Sequence, residues 1–519
     1  MKVLGLVSCL CLATQLTGQE GLRSFDLEFH IGGEANSDNF GKSVCTLGDA
    51  NGDWIDDFLV GADFADGGGV TDSGSVYLYS GADGSLIYQL NGGDKDDKFG
   101  GDIDVSDDID GDGVKDFIVG ARFANAAVVK DAGIAYVYSG ATGVELLKLQ
   151  GTQLNGFFGI SVAAVGDTNL DGVPDFLVGS RGKVSSGGSL PGHAWLYSGA
   201  DGTLLHHIEG TITADLFGDC VSRVGDINGD GAADLLIGAP GIPAVYLYSG
   251  LDGLLIKLWN TFSATSDAGT ALAPIEDLTG DGLPEILVGD PADLTVHIFE
   301  TKNFSSIGTL TQSSNYTGFG FSVASAGDID QDGREDILVG AYEASPSGTK
   351  TGSAFIYSTA NGSMIKRFDG DTNNGKYGCS VHTAGDINRD GLPDLIIGSR
   401  HGDYSSALKT GYIEVYSTRH YMAMTHHGQA PGAVMIETMY AADGDIVAFF
   451  YGVPGSSNVP IPDCGTVQLD LSSPTLDRLY QTGPTGRINF TVEVPPAAMG
   501  WAIQGVNLTS CETTNVVLL

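Results

Sequence analysis

The chain has 519 residues, with 65 aspartates and glutamates against 25 lysines and arginines and a formal net charge of −40. So large an acidic excess repels a nucleic-acid backbone and argues against nucleic acid as a partner. The 77 glycines against 17 prolines fall at recurring places, which reads as ordered turns and not as a disordered tract.

Residues 1–19 read as an export signal: Lys2, an apolar run over residues 3–13, then a cleavage region ending near Gly18 and Gln19. No later apolar run approaches the roughly 20 residues that a membrane-spanning helix needs, so no transmembrane segment is expected in the mature chain. Five cysteines follow the signal. Cys45, Cys220 and Cys379 lie on apolar strands and read as buried free thiols, whereas Cys464 and Cys511 are candidates for pairing in an oxidising compartment.

From residue 40 onward one unit is repeated. A nine-residue loop, D-x-[D/N/T]-x-D-[G/W]-x-x-[D/E], begins at Asp49, Asp108, Asp167, Asp226, Asp277, Asp328 and Asp386, at intervals of 59, 59, 59, 51, 51 and 58 residues. The second copy shows the unit: Phe99-Gly100 opens a strand, the loop follows, and the apolar run Phe117-Ile118-Val119-Gly120-Ala121 reads as a strand buried on both faces. A polar connection, an alternating strand at residues 134–138, a turn and a fourth strand complete it. Seven four-stranded units of this period predict an all-β fold, a seven-bladed β-propeller over residues 25–418, since closure into a ring hides the sheet edges. The seventh unit lacks a fourth strand, and the alternating residues 25–31 are expected to supply it.

The Phe-Gly opening, the acidic loop and the apolar strand ending in Gly-Ala, Gly-Ser or Gly-Asp together resemble the FG-GAP repeats of the integrin α-subunit β-propeller. Phe-Gly stands nine residues ahead of the loop at Phe40, Phe99, Phe158, Phe217 and Phe319, Tyr377-Gly378 takes its place in the seventh unit, and the fifth departs with Ala268-Gly269. The resemblance implies adhesion or extracellular recognition.

The loops suit a hard cation. Calcium takes six to eight oxygens, which side chains at loop positions 1, 3, 5 and 9 and the carbonyl at position 7 can supply. The expected ligands are Asp49, Asn51, Asp53, Ile55 and Asp57 in the first loop, and Asp108, Asp110, Asp112, Val114 and Asp116 in the second. They are Asp167, Asn169, Asp171, Val173 and Asp175 in the third, and Asp226, Asn228, Asp230, Ala232 and Asp234 in the fourth. The fifth offers Asp277, Thr279, Asp281, Leu283 and Glu285, the sixth Asp328, Asp330, Asp332, Arg334 and Asp336, and the seventh Asp386, Asn388, Asp390, Leu392 and Asp394. Up to seven Ca2+ ions are expected. The first loop, with Trp54 where glycine stands elsewhere, and the fifth, with Thr279 and the longer Glu285, depart most from the pattern. Simple Asx-Gly turns would account for one such loop, but three or four adjacent carboxylates repel one another unless neutralised, seven times over.

Alternation of strand direction places these loops on one face and the connections between second and third strands on the other. Those connections are brief in units 4 and 5 and about a dozen residues long in the others, so the long ones form a continuous arc through units 6, 7, 1, 2 and 3. The arc carries Arg122, Lys130, Arg181, Lys183, Lys350, Arg400 and Lys409 with Phe64, Phe123, Tyr342 and Tyr404, and is the expected binding face for an extracellular protein or glycan. HExxH, G-x-S-x-G and P-loop patterns are absent, so no enzyme is expected and no catalytic residue is assigned. The alternative is a secreted hydrolase using the propeller as a substrate platform. Residues 420–519 lack the repeat and read as a small β-sandwich-like domain. A secreted or cell-surface location follows from the export signal.

Overall fold

The computed structural model describes residues 23–420 except Val128, Lys183, Ser186, Gly187, Leu190, Asp390, Ser405 and Ser406, and beyond them the backbone of further strands. Residues Phe25–Thr418 form one compact unit. It contains seven four-stranded antiparallel sheets. Blade 1 runs Phe40–Gly48, Asp57–Ala62, Ser75–Tyr79 and Leu86–Asn91, and blade 2 runs Phe99–Val105, Phe117–Ala121, Ile134–Tyr138 and Glu145–Gln150. The first strands of adjacent blades adjoin one another around the ring, so they surround its axis.

The two glycines of each repeat explain the ring. In every blade the glycine near the end of the second strand lies against the carbonyl of the next blade's Phe-Gly glycine, or its equivalent. A Cβ on Gly61 would stand 2.2 Å from the Gly100 oxygen, and one on Gly238 2.1 Å from that of Gly269. The same contact joins Gly398 of blade 7 to Gly41 of blade 1 at 2.2 Å, which closes the circle. Any side chain at these positions would wedge the blades apart.

Aromatic rings fill each blade beside this contact. Phe40, Phe99, Phe158, Phe217 and Phe319 are buried and meet a third-strand ring, as Phe40 meets Tyr77 at 5.4 Å and Phe217 meets Tyr246 at 5.2 Å. Blade 5 has Ala268 instead, and Phe262 takes the vacated role, packing on His297 at 5.2 Å and Phe299 at 6.0 Å. A ring arriving from six residues upstream keeps the layer filled.

Blade 7 is closed by the N-terminal strand as expected: its sheet runs Arg23–Gly32, Tyr412–His420, Asp394–Ser399, Tyr377–Gly385. The added strand is tied by Ser417 donating to Glu28 at 2.6 Å, by Phe25 packing on Phe368 of blade 6 at 5.5 Å, and by Phe29 near Phe58 of blade 1 at 6.4 Å. Among the described cysteines, Cys45 and Cys379 are buried and Cys220 is half-buried, all three unbridged. Cys464 and Cys511 lie outside the residues whose side chains are described. Beyond the propeller, Ala423–His427, Gly432–Met439 and Ile488–Val494 form one antiparallel sheet. Gly465–Gln481, Ile446–Ile461, Ala502–Asn507 and Val517–Leu518 form a second.

Candidate metal centres and the opposite face

Each acidic loop joins the first strand of a blade to its second, so all seven emerge on one face. The carboxylate at position 1 builds the turn. Asp49 accepts the N–H groups of Gly52, Asp53 and Trp54 at 2.7, 3.0 and 2.8 Å, and Asp108 accepts those of Gly111, Asp112 and Gly113 at 2.7, 3.2 and 2.8 Å. The equivalent bonds recur on Asp167, Asp226, Asp277, Asp328 and Asp386. Position 3 then accepts from position 5, as Asn51 does from Asp53 at 2.9 Å, and position 5 accepts from position 7, as Asp230 does from Ala232 at 3.0 Å.

Position 6 has a positive φ throughout, from 83° at Gly391 to 92° at Gly113 and Gly231. Trp54 adopts the same conformation with φ 69° and leaves its ring 86% exposed, so the first loop keeps the shape of the others despite its residue. A tryptophan held there is strained relative to glycine.

Position 9 is a fully buried carboxylate at the start of the second strand. Asp57, Asp116, Asp175, Asp234, Glu285, Asp336 and Asp394 are all 0% exposed. Most are held from two directions: Asp57 accepts from Ala50 at 2.9 Å and from Gly81 at 3.1 Å, and Asp394 accepts from Ile387 at 2.9 Å and Thr418 at 2.7 Å. Burial pushes the Asp57 and Asp234 carboxyls up to about 6. Asp336 goes to about 8, through burial first and then the charges of Asp330, Asp328 and Asp332. One oxygen each of Asp336, Glu285 and Asp281 is buried without a hydrogen bond. Desolvated carboxylates crowded in this way are what a divalent cation would neutralise.

The chemistry therefore fits a hard cation. The carboxylates of Asp108, Asp110 and Asp116 offer oxygens all within 4.8 Å of one another, as do those of Asp328, Asp330 and Asp332. In blade 5, Lys302 Nζ stands 4.0 Å from Asp281 and already supplies some positive charge. Thr279 bonds Asp277 at 3.5 Å, and position 3 there offers a hydroxyl where the other loops offer an amide or a carboxylate. Asp390 lies outside the described residues. The rest of the seventh loop is in place, Asn388 donating to Asp394 at 3.3 Å.

Sequence reasoning missed the serines that stand over the loops. Ser139, Ser198, Ser249 and Ser358 each approach the position-5 carboxylate, at 3.4, 3.5, 3.2 and 3.4 Å. The signal was present, because Tyr-Ser follows the third strand at Tyr138, Tyr197, Tyr248 and Tyr357. Only folding brings that turn back over the loop.

On the opposite face the long connections span residues 63–74, 122–133, 181–192, 342–352 and 400–411, against 240–243 and 291–294 in blades 4 and 5. Much of their positive charge is paired. Arg122 donates to Asp63 at 2.6 Å, Arg181 lies 3.6 Å from Asp219, and Lys350 and Lys376 reach Glu343 at 3.0 and 2.6 Å. Phe123 packs on Phe157, Tyr342 on Phe321 and Tyr404 on His30, while Phe64 lies under Lys98. Lys183 lies outside the described residues. Where short blade 5 meets tall blade 6, an open pocket of about 410 Å³ is lined by Asp267, Thr270, Ala292, Phe321, Tyr342 and Glu343.

Comparison with known proteins agrees with this architecture. Residues 277–339 match the FG-GAP-like repeat family and residues 222–247 the FG-GAP repeat family. Integrin alpha-5 of Xenopus laevis is 30% identical over 253 residues, covering 47% of this chain and 20% of the relative. Integrin alpha-V of Gallus gallus is 29% identical, covering 36% and 20%, and integrin alpha-PS5 of Drosophila melanogaster 31% identical, covering 34% and 19%. The aligned part is thus about a fifth of the length of these relatives. Among solved structures, one titled "Crystal structure of BBS1N in complex with ARL6DN, soaked with lead" aligns with a TM-score of 0.45 at 11% identity, covering 76% of this chain and 96% of that one, too distant to support an argument. The chain carries FG-GAP repeats within a seven-bladed β-propeller and is similar in sequence to integrin alpha subunits.

Proposed function

We propose that this protein is a secreted or cell-surface recognition module: a propeller braced by calcium on one face that binds an extracellular protein or glycan on the other, without chemistry of its own. The observation that carries the reading is the division of labour between the faces. Seven cation-suited loops lock the blade entrances on one side, while the five long connections stand together on the other, where length can vary without disturbing a ligand oxygen. Similarity to integrin alpha subunits supports adhesion as the class of function. Among the described residues no helix is long and apolar enough to cross a membrane.

The test is capture of a partner from the source's own extracellular material, with calcium and with chelator. Shortening residues 123–133 and 182–192 to the length of the blade 4 connection, with Arg122 and Arg181 kept, is expected to abolish capture and to leave calcium-dependent melting unchanged. Undiminished capture by the shortened protein would transfer the binding role elsewhere in the chain.

A further inference from the structure

Four basic residues of blades 1, 2, 3 and 7 stand at the long-loop ends of their blades, and they are not equivalent. Lys42 is the third residue of its blade's first strand. Its counterpart in blade 2 is Gly101, and there the Arg122 guanidinium occupies the space, 2.3 Å from where a Cβ would be. Arg122 is neutralised by Asp63 at 2.6 Å, and Arg181 is matched by Asp219, the counterpart of Lys42 in blade 4, at 3.6 Å. The side chains of Lys42 and Arg400 have no hydrogen-bond or ion-pair partner among the described residues, and Arg400 Nε is buried without a hydrogen bond.

These two share the seam between blades 7 and 1. Gly41, beside Lys42, accepts from Ser380 at 2.8 Å and abuts Gly398, two residues before Arg400. Both side chains are half-buried. Burial lowers the Lys42 amine from its ordinary value, and Arg400 and Arg122 lower it further against the pull of Asp63 and Asp102. Arg400 lies over the Tyr342 ring at 5.6 Å, and Tyr342 is itself backed by Phe321 at 4.1 Å. A guanidinium whose neighbour is an aromatic ring and not a carboxylate keeps hydrogen-bond donors for an anion. In a chain with 65 acidic residues, two half-buried cations that feel one another's charge and have no carboxylate within ion-pair distance stand out energetically.

We propose that this seam is a carboxylate-binding site in which Lys42 and Arg400 together receive one aspartate or glutamate side chain of an extracellular protein partner. The inference rests on the reading of the long-loop face as the recognition face and names the chemistry it selects. A polyanionic glycan is disfavoured, because a net charge of −40 repels an extended run of negative charge but tolerates one acidic side chain among apolar neighbours. Phe64, Phe123 and Tyr342 on the surrounding connections suit such neighbours.

The whole chain in calcium is tested by fluorescence anisotropy with two labelled heptapeptides differing only in a central glutamate or glutamine between apolar residues, and with an oligouronate as third probe. The glutamate peptide is expected to bind about ten-fold more tightly than the glutamine peptide, the size of a charged hydrogen-bonded contact. Arg400→Gln and Lys42→Gln are each expected to remove most of that preference, and Arg400→Lys, which keeps the charge and loses the fork, part of it. Melting in calcium should not fall in these variants, since deleting one of two like charges relieves repulsion. Equal binding of the two peptides, binding of neither, a preference that survives both glutamine variants, or tighter binding of the oligouronate overturns the inference. Partner capture that is lost on loop shortening but unchanged in Arg400→Gln would overturn this site alone and leave the recognition face standing.

Discussion

At the residue scale the loops separate two jobs that the same side chains share. Position 1 shapes the turn by accepting backbone N–H groups, whereas position 9, buried and tied to two segments, fixes the loop to its blade. A cation would add to this scaffold and would not have to create it, which is why all the described loops hold one shape. The same geometry ranks them. In blade 4 the Asp230 carboxylate accepts from Ala232, Asn228 and Ser249 at 3.0, 2.8 and 3.2 Å, with an acidic or amide ligand at every side-chain position. In blade 5 the hydroxyl of Thr279 replaces an acid or amide, and Lys302 stands near Asp281. Asp230→Ala is therefore expected to lose about one calcium per chain. Asp281→Ala should change the stoichiometry less, because its loop is the weaker site to begin with. Calcium counted by mass spectrometry on dialysed protein decides this, and the reverse order would contradict the ligand assignment.

The informative element is the N-terminal strand. Arg23–Gly32 is the outer edge of blade 7 and reaches side chains in blades 6, 7 and 1, so it bridges the only seam where chain start and propeller end must meet. Deleting residues 23–32 would leave Tyr412–His420 as an unpaired edge, a template for pairing with another molecule. The expected result is a melting midpoint lower by several degrees and concentration-dependent association in light scattering. A monomeric deletion protein melting like the full chain would mean that the contacts between the first strands of blades 7 and 1, with Gly398 on Gly41 and Ser380 bonded to Gly41, hold the seam without it. The alternating residues 25–31 made this strand legible in advance. Phe262 was not, because nothing in its neighbourhood announces that it replaces a ring missing from another strand.

For the whole molecule, charge is the governing quantity. The 23 acidic residues at loop ligand positions belong to a chain of net charge −40, so cations bound there would relieve local crowding and global self-repulsion together. Chelation is expected to lower the melting temperature, and the loss should depend on pH. Asp57 and Asp234 near 6 and Asp336 near 8 hold protons in the fold that the unfolded chain has already released above about 4. Between those values the unfolded state binds fewer protons, so the stability of the cation-free fold falls as pH rises. Calcium favours the ionised form and removes that loss. The gap between melting curves in calcium and in chelator should thus widen from pH 5 to pH 8. Equal gaps, or none, would remove calcium from the account.

The sequence by itself determined what is local and repeated: the number of blades, the strand order within each, the loop positions that can offer oxygens, and which connections are long. Each of these follows from spacing along one copy, and seven copies reinforce the reading. Tertiary structure alone decided what depends on residues brought together from distant copies. It set Gly398 against Gly41, laid the Tyr-Ser turns over the acidic loops, and opened the pocket at the height step between blades 5 and 6. It also paired Arg122 and Arg181 while leaving Lys42 and Arg400 without a carboxylate in ion-pair reach. The physical reason is that a charge or a ring is satisfied by whatever the closed ring places beside it, and sequence distance says nothing about that.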